Sequence, residues 1–548
     1  MNEHEAAPFR VVGDFTPLIT AEQGFPAFER LALGATKQLW LSFRIFDPTT
    51  RLRHATTCGA TWLDLLRHRL KDGVQIRILL TDFDPIMVPD LHEASVRAEA
   101  ALKDLERDGD IETMIVRHEA RVGKGVRLGL WLPVARALDR QRSALNQMPD
   151  DARSDAFAHR PGIWRYLRKR DDGRIVWRIP KLPRLYPATF HQKIAVADSD
   201  AAIIGGLDID ERRYDSQDHD RAAQETWQDV SMRVTGDVVG DISRHIADCW
   251  NQNRLRMKAL RREQARHAPS GGVRLSPGIN TLSAGAIPDV DAGRDGIRLL
   301  RTASVQKRRV GLRFSPRTVV NEIEAAHIAA IRSAKHAIYI ETQFFRSHAI
   351  ADALTDAADR TPDLGLVMVL PAAPETIAFE QQMRLPERMG EHLQSACLEM
   401  VRDAFADRAV VLSPVMPVAS TSDTRDHLHD APIIYVHSKV LIVDETLCIV
   451  GSANLNGRSM KWDTEAAVEC RDAKAVRALR MAVLQHWLPE NPDAGLFDTS
   501  NMAAAWGALA KGNADQPPEQ RKGFLVPHNA APARQVGLPV PGVPDELV

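Results

Sequence analysis

Apolar residues in this chain fall into short runs with two different periods. Leu39 to Phe46 (LWLSFRIF) is almost continuously apolar, the pattern of a strand covered on both faces. The stretch TWLDLLRHRLKDG, from Thr61, repeats its apolar positions every three to four residues and predicts a helix. QIRILLT, from Gln75, returns to the strand pattern, so the three form a βαβ unit. RIVWRI (from Arg174), FHQKIAVAD (from Phe190), AAIIGG (from Ala201) and DVSMRV (from Asp229) predict further strands, and a helix over 238–260 closes this half. A segment rich in Gly, Pro and Ser follows, without periodicity. The order then repeats. A helix from Val319 leads into strands AIYIET (from Ala337) and LGLVMVLP (from Leu364) and a helix over 387–406. VVL, IIYVHSKVLIVD, CIVG and AAVEC follow as strands, with a last helix over 473–487. The expected organisation is an α/β half over 1–265, a linker over 266–293, a second α/β half over 294–497 and a Pro- and Ala-rich tail over 498–548. After Lys511 the tail reads as an extended or disordered strap.

Composition narrows the function classes. The 548 residues carry 71 Lys and Arg against 72 Asp and Glu, a net charge of -1. That excludes a polycation made for bulk nucleic acid and an acidic disordered chain, so any anion-binding surface must be local. The five cysteines, Cys58, Cys249, Cys397, Cys448 and Cys470, are widely spaced and predict reduced thiols rather than a disulfide framework or a metal site. The N-terminus lacks the basic and apolar regions of a signal peptide, and no apolar run approaches the ~20 residues of a membrane span. The expectation is a soluble protein made in the cytoplasm that meets membranes, if at all, from their surface.

Comparing the halves with each other exposes the chemistry. HQKIAVADSDAAIIGGLD (His191 to Asp208) and HSKVLIVDETLCIVGSAN (His437 to Asn454) share His-x-Lys, four residues, then Asp: His191, Lys193, Asp198 and His437, Lys439, Asp444. Each continues to a Gly (Gly205, Gly451), a small residue (Gly206, Ser452) and, two further on, a polar side chain (Asp208, Asn454). Strand period puts each His and its Lys on one face. If the halves pack about a pseudo-twofold axis, two imidazoles, two ammonium groups and the Asn454 amide converge. Such a site suits a phosphodiester, whose equatorial oxygens need fixed donors as charge shifts onto them. One imidazole can attack phosphorus while the other protonates the leaving alkoxide. A nucleophilic imidazole must be neutral and tautomerically fixed, which calls for a carboxylate from a neighbouring strand. Asp229 and Glu465 are the candidates, while Asp198 and Asp444 are expected to fix strand ends without touching substrate.

The doubled His-x-Lys-x-x-x-x-Asp pattern resembles that of the phospholipase D superfamily. GGLDIDERRYD (Gly205 to Asp215), TWQDVSMRVTG, the helix ending CWNQ, IYIETQFF (Ile338 to Phe345) and VGSANLNGRSMKWDTEAAV (Val450 to Val468) are similar to segments of the branch shared by plants, animals and some bacteria. The resemblance implies two similar α/β/α sandwich halves packed about a pseudo-twofold axis, with the active site between them. It implies a phosphohistidine intermediate on His191, with His437 as acid and then base. Lys193, Lys439 and Asn454 would hold the phosphate oxygens, with Asp208, Gly206 and Ser452 as further substrate-binding candidates, and Asp229 and Glu465 would orient the imidazoles. No metal and no other cofactor is implied. The expected substrate is a phospholipid at a membrane surface, hydrolysed to phosphatidate and head-group alcohol or transferred to another alcohol. The expected protein is a monomer, cytoplasmic or peripheral to a membrane, with export by a non-standard route left open. Gly457 stands where the family commonly has Asp.

Two other readings are kept beside this one. A nuclease on the same scaffold is disfavoured because nucleolytic members are often short and carry one motif. A non-catalytic lipid- or partner-binding scaffold is disfavoured by two intact triads. Two segments before the first motif stay open. The basic stretch Arg160 to Arg184, with Trp164, Tyr166 and Trp177, reads as an anionic-interface rim, a nucleic-acid groove or a solvated loop with a half-buried strand. The amphipathic segment Gly129 to Leu145 is expected to pack against the body rather than insert into a membrane. Glu341 and Gln343 share a strand face and are candidates for the pocket wall.

Overall fold

The computed structural model describes residues 7–178, 181–269, 280–284, 295–307, 314, 316–422 and 424–548. Seven strands of the first half form one sheet: Phe15–Ile19 (β1), Gln38–Phe43 (β2), Gln75–Asp82 (β3), Ile111–Arg117 (β4), Ile194–Ala197 (β5), Ala201–Gly205 (β6) and Val230–Thr235 (β7). Their order across the sheet is β1-β7-β6-β5-β2-β3-β4. Strands β2, β3 and β4 run parallel, joined by helices, and the hairpin β5–β6 and its neighbours are antiparallel.

The second half builds Ile297–Gln306 (β8), Pro316–Asn321 (β9), Ala337–Thr342 (β10), Gly365–Val369 (β11), Ala409–Pro414 (β12), Lys439–Val443 (β13), Leu447–Gly451 (β14), Glu465–Cys470 (β15) and Leu525–Pro527 (β16). The order is β9-β8-β15-β14-β13-β10-β11-β12-β16. Without the edge strands β9 and β16, it repeats the first sheet strand for strand.

Both sheets are covered on two faces, an α/β/α arrangement. Helices Thr20–Gly34, Trp62–Lys71 and Pro89–Lys103 cover the outer face of the first sheet. Glu322–Ser333, His348–Arg360 and Leu385–Phe405 cover that of the second. Between the halves lies one shared core, where Ile194, Ile204 and Met232 meet Val436, Val450 and Val468 with helices Val238–Ala265 and Ala473–Trp487. The near-continuous apolar strands read from sequence are the strands this double burial requires.

Several elements depart from the expectations. RIVWRI does not join the main sheet: Ile175–Trp177 pairs with Leu167–Lys169 in a separate ribbon, of which Ile175 and Leu167 are buried and Trp177 is exposed. Trp164 and Tyr166 are buried in a small core of this insertion, and of the three aromatics only Trp177 is exposed. The tail is not an extended strap. After Lys511, β16 pairs with β12 and Ala531–Val536 is a short helix, and just before it the helix Met502–Ala514 packs on the second sheet through Met502, Trp506 and Ala510. Ala-rich composition allows helix, and Trp506 supplies the apolar anchor. Most of the 266–293 segment lies outside the described residues. Its 280–284 piece runs along helix Val238–Ala265, where Trp250 Nε1 donates to Asn280 O at 2.8 Å. Cys249, Cys397, Cys448 and Cys470 are buried thiols, and Cys58 is half-buried.

Candidate active site

Each motif opens just ahead of its strand, and the opposite half holds it there. His191 N donates to Thr464 O at 2.8 Å, and Thr464 N donates to Thr189 O at 2.9 Å. In the other direction His437 N donates to Gln228 O at 2.7 Å, and Gln228 N donates to Tyr435 O at 2.8 Å. These parallel bridges place Glu465, next after Thr464, beside His191, and Asp229, next after Gln228, beside His437. His191 Nδ1 lies 3.0 Å from Glu465 Oε1, and His437 Nδ1 lies 2.7 Å from Asp229 Oδ2. The carboxylates thus cross between halves, each orienting the imidazole of the other motif. His191 Nδ1 also lies 3.1 Å from Ser452 O.

Burial sets the charges. It pushes both imidazoles well below their ordinary value, with Lys193 and Arg44 adding for His191, and Lys439 and Lys193 for His437. Both rings are therefore held toward the neutral form. Burial raises Asp229 to about 7 against the pull of Lys439, and Glu465, with Asp463 adding, to about 8.

The lysines lie under the imidazoles. Lys193 Nζ donates to His191 O at 2.6 Å, and Lys439 Nζ donates to His437 O. Asp208 accepts from Ile45 N at 2.9 Å and lies 3.6 Å from Lys193 Nζ, so it is taken up beneath the cavity rather than facing it. Its counterpart Asn454 does line the cavity, and its side chain has no hydrogen-bond partner among the described residues. Burial lowers Lys193 with Asp208 opposing, and lowers Lys439 to about 7 with Asp229 opposing. Gly206 and Ser452, expected to bind substrate, lie behind the carboxylates. A Cβ at Gly206 would overlap the Asp229 carboxylate, and Ser452 Oγ donates to Glu465 Oε2 at 2.5 Å. Asp198 accepts from the backbone N–H of Thr36, Lys37 and Gln38, and Asp444 from those of Lys335, His336 and Ala337. Both adopt the left-handed conformation, φ 53° and 52°, that Asp tolerates better than most residues.

His191, His437 and Asn454 open into one cavity of about 330 Å³. Its wall contains residues that spacing alone did not reveal. Arg44 lies over Phe83, Arg213 stacks 3.6 Å above Trp227, and Arg458 pairs with Asp463 at 3.0 Å. Trp227 in turn packs on His437 at 4.5 Å between ring centroids. Self-comparison could have flagged Arg44, which precedes its motif at the strand end that Gln343 occupies in the other half. Gln343 lines the cavity and donates to Tyr435 Oη at 2.9 Å, whereas Glu341 does not reach it. Glu341 is buried as the acceptor for Tyr339 Oη and Trp487 Nε1. Leu547 and Val548 close one side of the cavity, and Glu546 packs where a side chain at Gly457 would stand, 3.1 Å from the Cβ position.

Two family models match the chain. One, described as phospholipase D, covers residues 217–368, and the other, described as cardiolipin synthase, phospholipase D-like domain, covers 327–487. The first motif precedes both matched stretches. Phospholipase D1 of Mus musculus is 26% identical over 273 residues, covering 46% of this chain and 24% of that protein. Phospholipase D alpha 1 of Cynara cardunculus is 24% identical over 387 residues, 55% of this chain and 47% of its own. The chain thus spans about a quarter to a half of the length of these relatives. Among solved structures, phosphatidylserine synthase of Haemophilus influenzae aligns over 88% of both chains at 11% identity with a TM-score of 0.49.

Proposed function

The chain belongs to the phospholipase D superfamily, and from that premise we propose that it cleaves the distal phosphodiester bond of a glycerophospholipid. The observation that carries this reading is the pair of crossed dyads, His191 with Glu465 and His437 with Asp229, whose imidazoles open into one cavity and whose motifs each bury a lysine. Neutral His191, with Nδ1 held by Glu465, turns Nε2 toward phosphorus. A nitrogen–phosphorus bond forms as the bond to the head-group oxygen breaks, and His437 passes its proton to that oxygen. The bound diester supplies the negative charge that lets His437 carry this proton despite its burial. Water, or an alcohol in transphosphatidylation, then gives a proton to His437 and attacks phosphorus, releasing His191 and phosphatidate or the new diester. Lys193, Lys439 and Asn454 hold the phosphate oxygens as charge builds on them.

A second observation favours lipid over nucleic acid. The insertion between β4 and β5 begins and returns at the end of the sheet that carries His191. Within it, residues 121–184 hold sixteen Lys and Arg against six Asp, an excess of ten in a chain whose total is -1. Six consecutive residues, 128–133 (LGLWLP), are exposed, with Leu128 at 64%, Trp131 at 43% and Leu132 at 51%. The rest of the helix Trp131–Gln147 packs as expected through Val134, Leu138 and Leu145, so only its first turn is apolar and open. Exposed Leu and Trp within a segment of excess positive charge match an anionic bilayer surface, where the apolar groups enter the interface and cations meet lipid phosphates. Among the described residues no helix is long and apolar enough to cross a membrane.

The test compares phosphatidylcholine–phosphatidylglycerol vesicles with single-stranded DNA as substrates. Release of phosphatidate from vesicles, lost in His191→Ala, is the expected result. DNA cleavage with intact lipid would replace this reading by the nuclease one. In the triple variant L130E/W131E/L132E, vesicle turnover should fall at least ~10-fold while turnover of a soluble diester is retained.

A further inference from the structure

Among the described residues two guanidiniums that line the cavity, Arg44 and Arg346, have no hydrogen-bond or ion-pair partner, and Arg346 is the one that shares its side of the cavity with an unpaired carboxylate. Arg346 follows β10, and its backbone N–H is tied to Leu455 O at 2.7 Å. Its side chain lines the cavity yet is only 7% exposed, lies 4.1 Å from the Phe344 ring centroid, and has no hydrogen-bond or ion-pair partner among the described residues. Space is made for it: a Cβ at Gly390, in helix Leu385–Phe405, would stand 2.5 Å from Arg346 Cζ. Glu387, one turn earlier on that helix, lines the same cavity, and its Oε2 is buried without a hydrogen-bond partner. The two opposite charges share a cavity without pairing with each other. Glu391, the other carboxylate beside Arg346, is already paired with Arg425 at 3.0 Å, and Glu375 on the far wall accepts from Arg212 at 3.1 Å. Leaving a guanidinium buried and unpaired is costly, and a ligand anion removes that cost.

We propose that the cavity has, beside the reacting phosphodiester, a subsite for a zwitterionic amino-acid head group, with Arg346 taking its carboxylate and Glu387 its ammonium. The proposal rests on the phosphodiester reading above and names its substrate class. The planar guanidinium fork matches a carboxylate bidentately, which an ammonium-bearing head group alone cannot exploit. The subsite holds the leaving alcohol in hydrolysis and the entering alcohol in transfer.

Phosphatidylserine and phosphatidylethanolamine differ only by that carboxylate, so the test is their turnover ratio in otherwise identical vesicles. The wild type should favour phosphatidylserine by ~10-fold or more in kcat/KM, and Arg346→Gln should bring the ratio close to one. Arg346→Lys, which keeps the charge but not the fork, should give an intermediate ratio and guards against misfolding of the glutamine variant. Equal turnover of the two lipids by the wild type, or an unchanged ratio in R346Q, overturns the proposal. A second arm needs no turnover. O-phosphoserine should bind the wild type ~10-fold more tightly than phosphoethanolamine by calorimetry, with the difference lost in R346Q. If neither lipid is cleaved but this difference is found, the subsite stands and the reaction assigned above falls. Equal binding of the two compounds ends the proposal on its own.

Discussion

The two halves share seven strands in one order, yet they contribute unlike surroundings to the site they enclose. In the first, Lys193 has the Asp208 carboxylate 3.6 Å away. In the second, the residue equivalent to Asp208 is the neutral Asn454, whose side chain faces the cavity. His437 packs on Trp227, beneath Arg213, whereas the residue equivalent to Trp227 in the other half is Asp463, which Arg458 engages. The lesson is that fold symmetry brings equal groups together and local substitutions then divide the labour. Burial lowers both lysines, and the carboxylate that opposes it most comes from the first half in each case, Asp208 for Lys193 and Asp229 for Lys439.

The largest expected effect tests whether the histidines differ. His191→Ala and His437→Ala should each lower turnover of a natural diester by at least ~10³-fold. With a nitrophenyl diester, whose leaving group needs no proton, H437A should still release one equivalent in a burst and accumulate phosphohistidine. H191A should show no burst. A burst in H191A alone would exchange the two roles. Next in size, Asp229→Asn and Glu465→Gln should each cost on the order of 10²-fold in kcat, because either change frees the imidazole tautomer.

E465Q also changes stability with a definite sign. The native value of Glu465, about 8 against an ordinary 4.5, means the folded state binds this proton more tightly. That contribution is full below 4.5 and is lost as pH rises through about 8. Lys439, lowered from 10.5 to about 7, acts oppositely: its contribution is present above 10.5 and is lost as pH falls through about 7. The Tm advantage of wild type over E465Q should therefore shrink steadily between pH 5 and 9. An advantage that grows over this range contradicts the burial argument.

A smaller effect would make the halves alike. Asn454→Asp adds a carboxylate to those that already act on Lys439 and should move the alkaline limb of kcat/KM upward by roughly one pH unit. No movement would mean that Lys439 does not set that limb. The smallest is Gly457→Asp, which crowds Glu546. It should speed amide exchange at residues 545–548, by hydrogen-exchange mass spectrometry, with the remaining fold unchanged.

Legibility followed range in sequence. Asp198 and Asp444 could be given an anchoring role because each ends its own strand and turns at once into a hairpin. The histidine–lysine pairs were legible because their spacing is local and doubled. Gly206 and Ser452 were misplaced because each stands one residue past the end of its strand, where the two-residue alternation no longer fixes a face. Their work, making room for Asp229 and donating to Glu465, depends on a neighbouring strand. The tail after Lys511 was misread because Pro and Ala content does not show that Leu525 and Val526 are buried in a strand added to the second sheet. Arg346 carried no signal, since an arginine after a strand is ordinarily a solvated end.

The sequence by itself determined the strand-rich halves, their repetition and the two His–Lys pairs, because periodicity and short spacing are local properties of a chain. Only the tertiary structure decided that the dyads cross between halves, that Asn454 and not Asp208 faces the cavity, and that Arg346 lies buried and unpaired beside it. Those facts depend on backbone bridges such as His191 to Thr464, joining residues 273 positions apart. Pairing of that kind is set by how two sheets bury their faces together, which no local spacing encodes.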